Sequence, residues 1–198
     1  MSKKSRMIFA TNNQHKVNEI KHILGDSFHI NSLKDAGIHI DIPEPHDTLE
    51  ANATEKSTVI YALTGIDCFS EDTGLEVTAL HGAPGVKSAR YAAGESFKDN
   101  NHKLLFSLEG QSNRTAQFRT IISLIFNGKE FLFEGICKGN ILTEKKGSEG
   151  FGYDPLFVPD GAEKTFAEMT IDEKSMYSHR KKATEKLIEF LRTQHGQS

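Results

Sequence analysis

The sequence has almost no excess of charge of either sign. Its 198 residues include 24 Lys and Arg against 27 Asp and Glu, which gives a net charge of −3. A protein that coats nucleic acid takes its affinity from many cations placed against phosphates, so this balance argues against that class. Any anionic partner must be met by local clusters of cations, and we expect no nucleic-acid partner.

Long hydrophobic runs are also absent. A membrane-spanning helix needs about 20 consecutive apolar residues, and no stretch of this chain approaches that length. Residues 1–7 are basic but lack the apolar segment of a signal peptide. These features predict a cytoplasmic protein with no membrane partner.

Cysteine is scarce, since only Cys68 and Cys137 are present, each within an apolar run. Two such residues favour buried, reduced thiols over a disulfide or a metal pair, and we predict no chemical role for them. The chain also lacks repeats, low-complexity tracts and an obvious linker.

The residues that are present are sufficient for a sizeable core. Hydrophobic residues make up 37% of the chain and include 13 Phe, which excludes disordered chains and small disulfide scaffolds. At roughly 150 residues per domain, the length favours a single domain, which can have two lobes.

Apolar periodicity predicts alternating elements in the first third of the chain. Residues 7–12 read as a strand, and apolar side chains at helical spacing follow until Gly25. Residues 28–42 are strand-like, and a polar helix is predicted from Thr48 to Leu63.

The second half contains the clearest element pair. The β-branched and aromatic runs 115–126 and 130–143, joined by Asn127-Gly128, are typical of a β-hairpin. Residues 179–193 have helical spacing. Strands and helices in mixed order, with one strong hairpin, predict an α/β fold with a mixed sheet.

A first polar cluster lies where the first strand gives way to the first helix. It consists of Thr11, Asn12, Asn13, Gln14, His15 and Lys16. Free N–H groups and the positive end of the helix dipole favour an anion there, and Lys16 can add a point charge to a phosphate. The segment matches neither the P-loop nor the Rossmann pattern, and an ordinary helix cap with a solvated lysine is the alternative.

A second cluster is acidic. We predict a tight turn at Ser70–Gly74 between strands over 66–70 and 75–80. Its adjacent carboxylates, Glu71 and Asp72, would repel each other unless a cation or proton lies beside them. A plain Asp-Thr-Gly turn is the alternative.

A third carboxylate is available, because Glu44 is held in a stiff loop between two prolines. Carboxylate oxygens, together with substrate phosphate and water, suit Mg²⁺. The sequence therefore predicts that Glu44, Glu71 and Asp72 bind Mg²⁺.

A third cluster places two aromatics among glycines in residues 150–155. An aromatic side chain on such a loop offers a flat face to a purine base, and the backbone and Asp154 can recognise the edge of that base. A plain turn with Phe151 or Tyr153 in the core is the alternative.

A fourth cluster concentrates cations at a helix start, with Lys174 followed by Ser178–Lys182. The helix dipole disfavours cations at that end, so something anionic should compensate them. A solvated basic face is the alternative.

In order along the chain, these motifs closely resemble those of the inosine triphosphate pyrophosphatase (Ham1-like) family, from Met7 to about Leu191. The matching segments are Thr11, Asn13 and Lys16; Glu71–Leu75; Gly82–Tyr91; Gly150–Phe157; Glu173–Ser175; and Ser178–Arg180. The departures are small: Ala93 precedes Gly94, and residues 1–6 form an N-terminal extension.

The resemblance implies an elongated, two-lobed α/β fold on a long twisted mixed β-sheet, with the nucleotide in a central cleft. It implies that residues 1–198 are one such domain and that the usual state is a homodimer. The implied activity is hydrolysis of non-canonical purine nucleoside triphosphates, ITP, dITP and XTP, to the monophosphate and pyrophosphate, which cleanses the nucleotide pool.

The resemblance also assigns roles to residues. It makes Asp72 the proton acceptor, whereas the residues by themselves do not separate Asp72 from Glu71. The expected phosphate-binding residues are Thr11, Asn13, Lys16, Lys56 and Thr73, and the neighbouring Asn12, Gln14 and His15 are expected to bind the substrate. The residues expected to face the base and sugar are Phe151, Gly152, Tyr153, Asp154, Lys174, His179 and Arg180.

Selectivity has a physical source, because hypoxanthine and xanthine carry a 6-oxo acceptor where adenine has a 6-amino donor. A donor such as Arg180 would favour the former. Two alternatives remain for the whole chain: a Maf-type nucleotide pyrophosphatase with other base preferences, and a nucleotide sensor without turnover. The segments around Phe151 and Arg180 argue against the first, and the complete set of carboxylates argues against the second.

Overall fold

A computed structural model describes residues 6–25 and 28–195. Apart from Arg6, which begins the first strand, the predicted N-terminal extension lies outside the described residues. The strands are β1 (Arg6–Phe9), β2 (His29–Ser32), β3 (Cys68–Val77), β4 (Pro84–Gly85), β5 (Thr115–Phe126), β6 (Lys129–Ile141) and β7 (Phe157–Pro159). The α-helices are α1 (Gln14–Leu24), α2 (Leu49–Thr64), α3 (Asn100–Ser107), α4 (Ile171–Tyr177) and α5 (His179–His195).

The strands form one mixed sheet in the order β2-β1-β3-β5-β6-β7, with β4 paired to β3. Strand β1 pairs in parallel with β2 and β3. Strands β4 and β7 pair antiparallel with β3 and β6. The predicted α/β fold with a mixed sheet is confirmed.

The chain divides into two compact units. Unit 1 comprises Met1–Asp72, Thr120–Gly135 and Arg180–Ser198, and unit 2 comprises Thr73–Arg119 and Ile136–His179. The prediction that the whole chain is one domain with two lobes stays a prediction.

Strand β1 shows how the core of unit 1 is built. Successive strand side chains point to opposite faces; Met7 and Phe9 pack with α1 and α5, whereas Ile8 and Ala10 belong to a cluster that includes Ile60 of α2. Helices therefore cover both faces of this part of the sheet. Unit 2 has a separate core rich in phenylalanine.

Local capping chemistry sets the helix ends, as predicted. The Asn13 side chain caps α1, which ends at Gly25. Thr48 caps α2, which ends at Gly65. Of the strand-like stretch 28–42, only the four residues of β2 form a strand.

The predicted hairpin is confirmed as β5 and β6. Asn127 has φ 50° and Gly128 has φ 75°, and positive φ at both central residues is the requirement of the type I′ turn that joins twisted strands.

The predicted turn at Ser70–Gly74 is wrong, because β3 continues through it without a break. A Cβ atom on Gly74 would lie 2.7 Å from the carbonyl oxygen of Gly85. This glycine therefore permits the close approach of β4 and does not form a turn. Burial of a long strand outweighs the local turn preference of Asp-Thr-Gly.

Neither cysteine forms a disulfide, and both are buried, as predicted. Burial raises the pKa of the Cys68 thiol to about 12, so this thiol is protonated at neutral pH. No helix in the described part of the chain is long and apolar enough to cross a membrane.

Candidate active site

The first polar cluster is a capped helix start in unit 1. The Thr11 Oγ1 accepts a hydrogen bond from the Asn13 amide at 3.1 Å, and the Asn13 Oδ1 accepts one from the Lys16 amide at 3.2 Å. Asn12, Gln14 and His15 are exposed on the same segment. The helix cap is therefore present, and phosphate binding stays a prediction.

Lys16 is not a solvated lysine, because its Nζ lies 2.8 Å from Oε1 of Glu71 and its side chain is only 15% exposed. The same carboxylate accepts hydrogen bonds from Arg180, from Nε at 2.6 Å and from Nη2 at 3.1 Å. Arg180 also donates to Glu19 through Nη1. Two cations thus surround the Glu71 carboxylate.

This group of charges is deeply buried, with Glu71 and Arg180 each 1% exposed. Burial alone would raise the pKa of the Glu71 carboxyl, but the charges of Arg180 and Lys16 outweigh burial and hold the pKa well below its ordinary value. Glu71 is therefore negatively charged at neutral pH.

Asp72 points to the opposite side of β3, since neighbouring strand residues alternate. Its Oδ1 lies 3.8 Å from Nζ of Lys56. The same ammonium group donates to Glu44 and, at 2.8 Å, to the carbonyl oxygen of Glu71. Lys56 therefore contacts both the Glu44 and the Asp72 carboxylates.

The environment of Asp72 favours its protonated form more than water does. Burial raises the pKa of Asp72, the positive charge of Lys56 opposes that rise, and the negative charge of Glu44 adds to it. The pKa values of these two adjacent carboxyls are therefore shifted in opposite directions.

The three predicted metal ligands are not brought together. The Glu71 carboxylate accepts hydrogen bonds from Arg180 and Lys16, whereas those of Glu44 and Asp72 share Lys56. Across residues 6–25 and 28–195 the structure has no group of three or more His, Cys, Asp or Glu side chains that could hold a metal. Two carboxylates completed by substrate phosphate and water still fit Mg²⁺, so Glu44 and Asp72 fit the ion and Glu71 does not.

The third cluster lies in unit 2 and centres on a buried ion pair. Lys174 Nζ donates to Asp154 Oδ2 at 2.7 Å, and the same oxygen accepts from the Phe151 amide at 2.9 Å. The ammonium group also lies 5.2 Å from the centroid of the half-buried Phe151 ring. The ion pair thus fixes the loop that presents Phe151 and the exposed Gly152.

Tyr153 packs in the core of unit 2 and donates from its hydroxyl to the Ser88 carbonyl at 2.9 Å. The alternative that one aromatic of this loop is a core residue is therefore confirmed for Tyr153. Only its backbone remains for a ligand.

Two cations of the fourth cluster are neutralised by carboxylates of the same chain. Asp154 neutralises Lys174, and Glu71 with Glu19 neutralises Arg180. Lys182 is exposed.

The remaining predicted residues sit on unit 2. The His179 ring is buried and stacks on Phe118 at 4.7 Å between centroids, and Thr73 is half-buried on β3. Contact of Thr73, His179 and Arg180 with a nucleotide stays a prediction.

Sequence reasoning missed Glu19 and Asn52. Glu19 lies one turn after Lys16 on α1, and Asn52 lies one turn before Lys56 on α2. Spacing of three or four residues places such pairs on one helix face, which was the available signal.

These features define an α/β protein with a capped helix start and two electrostatically distinct carboxyls on one strand of a mixed sheet. The chain belongs to the Ham1 family, whose model matches residues 7–190.

Named relatives and solved structures agree with this membership. A dITP/XTP pyrophosphatase of Flavobacterium psychrophilum is 50% identical over 189 residues, covering 94% of this chain and 99% of the relative. One of Porphyromonas gingivalis is 48% identical over 188 residues, covering 94% and 97%. The structure of the Staphylococcus aureus Ham1 protein matches with a TM-score of 0.84 and 35% identity, covering 96% of this chain and 100% of that one.

Proposed function

We propose that this protein hydrolyses the non-canonical purine nucleoside triphosphates dITP, XTP and ITP to the monophosphate and pyrophosphate. The single observation that carries the proposal is the opposite environment of Glu71 and Asp72, because hydrolysis needs a proton acceptor beside fixed cations. Membership of the Ham1 family and the relatives named dITP/XTP pyrophosphatase support it.

The chemical step is attack of water on the α-phosphorus. Asp72 accepts the proton of that water, a new P–O bond forms, and the bond between the α-phosphorus and the bridging oxygen breaks, so pyrophosphate leaves with the bonding electrons. Glu71 keeps its charge and holds Lys16 and Arg180 in place. General-base assistance of this kind contributes roughly 10²–10⁴-fold to a rate.

We propose Mg²⁺ as the cofactor, held by Glu44 and Asp72. When bound, it would neutralise charge on the polyphosphate. Lys56, which contacts both carboxylates, supplies a further positive charge to the phosphates.

Substrate binding divides between two sets of residues. The helix start with Thr11, Asn13 and Lys16 binds phosphates, with Lys56 and Thr73. The second set binds the base and sugar: Phe151, Gly152, the backbone of Tyr153, Asp154, Lys174, His179 and Arg180.

Base selectivity requires donors toward the 6-oxo group, because a buried donor left facing the amino group of adenine costs roughly 1–3 kcal/mol. Arg180 is one candidate donor, although its guanidinium is held by Glu71 and Glu19. Arg180→Ala should narrow the dITP-to-dATP ratio of kcat/KM by roughly 10-fold if Arg180 faces the base. An equal loss of kcat/KM for dITP and dATP would mean that Arg180 does not contact the base and serves only to pair with Glu71.

Pyrophosphate and monophosphate release from dITP, XTP, ITP, dATP, dGTP and TTP, with and without Mg²⁺, tests the function. We expect turnover of the first three only with Mg²⁺. Binding without turnover would indicate a sensor, and preference for another base would indicate a different pyrophosphatase. We also propose that the protein is a cytoplasmic homodimer, as the family resemblance suggests.

A further inference from the structure

The amide of Asn52 clamps the loop that carries Glu44. Asn52 lies on α2 and is fully buried. Its Oδ1 accepts a hydrogen bond from the His46 amide at 3.0 Å, and its Nδ2 donates to the His46 carbonyl at 3.2 Å. The side chain therefore pairs with both backbone groups of one residue, as a neighbouring strand would.

The loop needs such an external partner. Residues 43–47 belong to no helix or strand, and Pro43 and Pro45 have no N–H to donate. His46 is the first residue after Pro45 that can donate a backbone hydrogen bond, and Asn52 accepts it. This contact thus fixes the backbone two residues after Glu44.

The helix face that carries Asn52 also meets the second carboxylate. The Asn52 amide lowers the pKa of Asp72 and so favours its charged form. One turn further along α2, Lys56 contacts both Glu44 and Asp72. One face of α2 therefore touches both carboxyl groups.

We propose that Asn52 is a positioning residue that sets the Glu44 carboxylate at the correct distance from Asp72 for one divalent cation. This inference rests on the proposed use of Mg²⁺ and adds a residue that holds the ligands but does not bind the ion. Removing such outer partners lowers metal affinity or activity by about 10–100-fold.

Asn100 offers a matched control in unit 2. Its side chain likewise clamps a loop, accepting from the Ala92 amide at 2.8 Å and donating to the Ser88 and Ala89 carbonyls, each at 3.1 Å. Asn100→Ala removes the same kind of contact from residues with no proposed part in metal binding.

The experiment titrates the purified protein with Mn²⁺ alone and follows free Mn²⁺ by electron paramagnetic resonance. We expect Asn52→Ala to weaken Mn²⁺ binding about 10-fold or more. The Mn²⁺ affinity of Asn100→Ala should stay within about twofold of the wild-type value when the two variants lose a comparable amount of melting temperature. The KM for dITP at saturating Mg²⁺ should change less than the Mn²⁺ affinity.

Asp72→Asn separates this inference from the proposed function. If Asp72→Asn leaves Mn²⁺ binding unchanged, the proposed metal site itself is wrong, and the inference fails with it. If Asp72→Asn weakens binding but folded Asn52→Ala does not, or if Asn100→Ala weakens it equally, only the positioning role is overturned.

Two further measurements cover a variant that fails to fold. Asn52→Ser is a smaller change that leaves room for a bridging water. It should also weaken Mn²⁺ binding, as Asn52→Ala does. In the wild type without metal, the His46 amide should be protected from hydrogen exchange, because Asn52 already holds it. Exchange of that amide at the rate of an unstructured peptide would overturn the proposal.

Discussion

At the scale of single residues, the two neighbouring carboxyls of β3 differ because of their partners. Glu71 accepts from two cations in a fully buried environment, whereas the Oδ1 of Asp72 lies 3.8 Å from Lys56 Nζ. The same type of group thus has a lowered pKa on one face of the strand and a raised pKa on the other.

Asp72→Asn keeps the shape of the side chain but removes the charge that accepts a proton. We expect the turnover of dITP to fall by at least about 10²-fold, with a much smaller change in dITP affinity measured calorimetrically without Mg²⁺. Asp160→Asn, at an exposed aspartate, should retain full turnover. If Asp72→Asn kept more than a tenth of wild-type turnover, Asp72 would not be the proton acceptor.

The pH dependence of kcat/KM follows from the raised pKa of Asp72. A base works only when deprotonated, so activity is lost as the pH falls through the pKa of the folded protein. Because that pKa is raised, the loss should begin above the ordinary aspartate value of about 3.9. A pH series of dITP hydrolysis tests this, and the residual activity of Asp72→Asn should lack the acid limb.

Glu71→Gln should destabilise the fold, because Arg180 would keep its buried charge with one carboxylate fewer. The lowered pKa of Glu71 means that its contribution is present above the ordinary glutamate pKa and is lost as the pH falls through the folded value. Breaking a buried ion pair costs about 3–5 kcal/mol, measurable by urea unfolding at neutral pH.

Glu185→Gln is the control for that measurement, since Glu185 is 57% exposed and lies 3.7 Å from Lys181. An exposed pair contributes less than about 1 kcal/mol. Equal effects of the two substitutions would mean that the Glu71 pair adds nothing beyond an ordinary surface pair.

At the scale of elements, strand β3 depends on a glycine that reads as a turn signal. Asp-Thr-Gly favours a turn within its own segment, yet Leu75 pairs with Gly85 across β3 and β4. The neighbouring strand β4 therefore requires a glycine at position 74, and the periodicity of the sequence does not reveal that strand pairing.

Gly74→Ala should force β4 away, because the new Cβ would meet backbone atoms of Gly85 at 2.7 Å and 2.9 Å. Backbone cannot rotate aside as a side chain can, so we expect a loss of about 1–3 kcal/mol. Denaturant unfolding measures it. A change below a few tenths of a kcal/mol would show that β4 shifts without cost.

At the scale of the whole molecule, the proposed state is a homodimer of 22.0 kDa chains. Closed twofold assembly is the commonest oligomeric state of soluble proteins, and the family resemblance favours it here. Light scattering after size-exclusion chromatography should give about twice the chain mass. A concentration-independent monomer would contradict this proposal without affecting the proposed chemistry.

The sequence by itself determined the features that depend on neighbours along the chain. The ends of α1 and α2 follow from Asn13, Thr48 and two glycines, and the β5–β6 hairpin follows from Asn127-Gly128. Caps and tight turns are made within about four residues, so a short segment contains all the chemistry needed. The ordered motifs likewise pointed to the Ham1 family.

Only the tertiary structure decided the electrostatics of the site. Arg180 reaches Glu71 across 109 residues of sequence, and Glu44 and Asp72 meet at Lys56 from three separate segments. The pKa of each carboxyl depends on burial and on these distant charges. Adjacent residues of the same chemical type therefore look equivalent in the sequence, and they become different only when the fold gives each one its own partners.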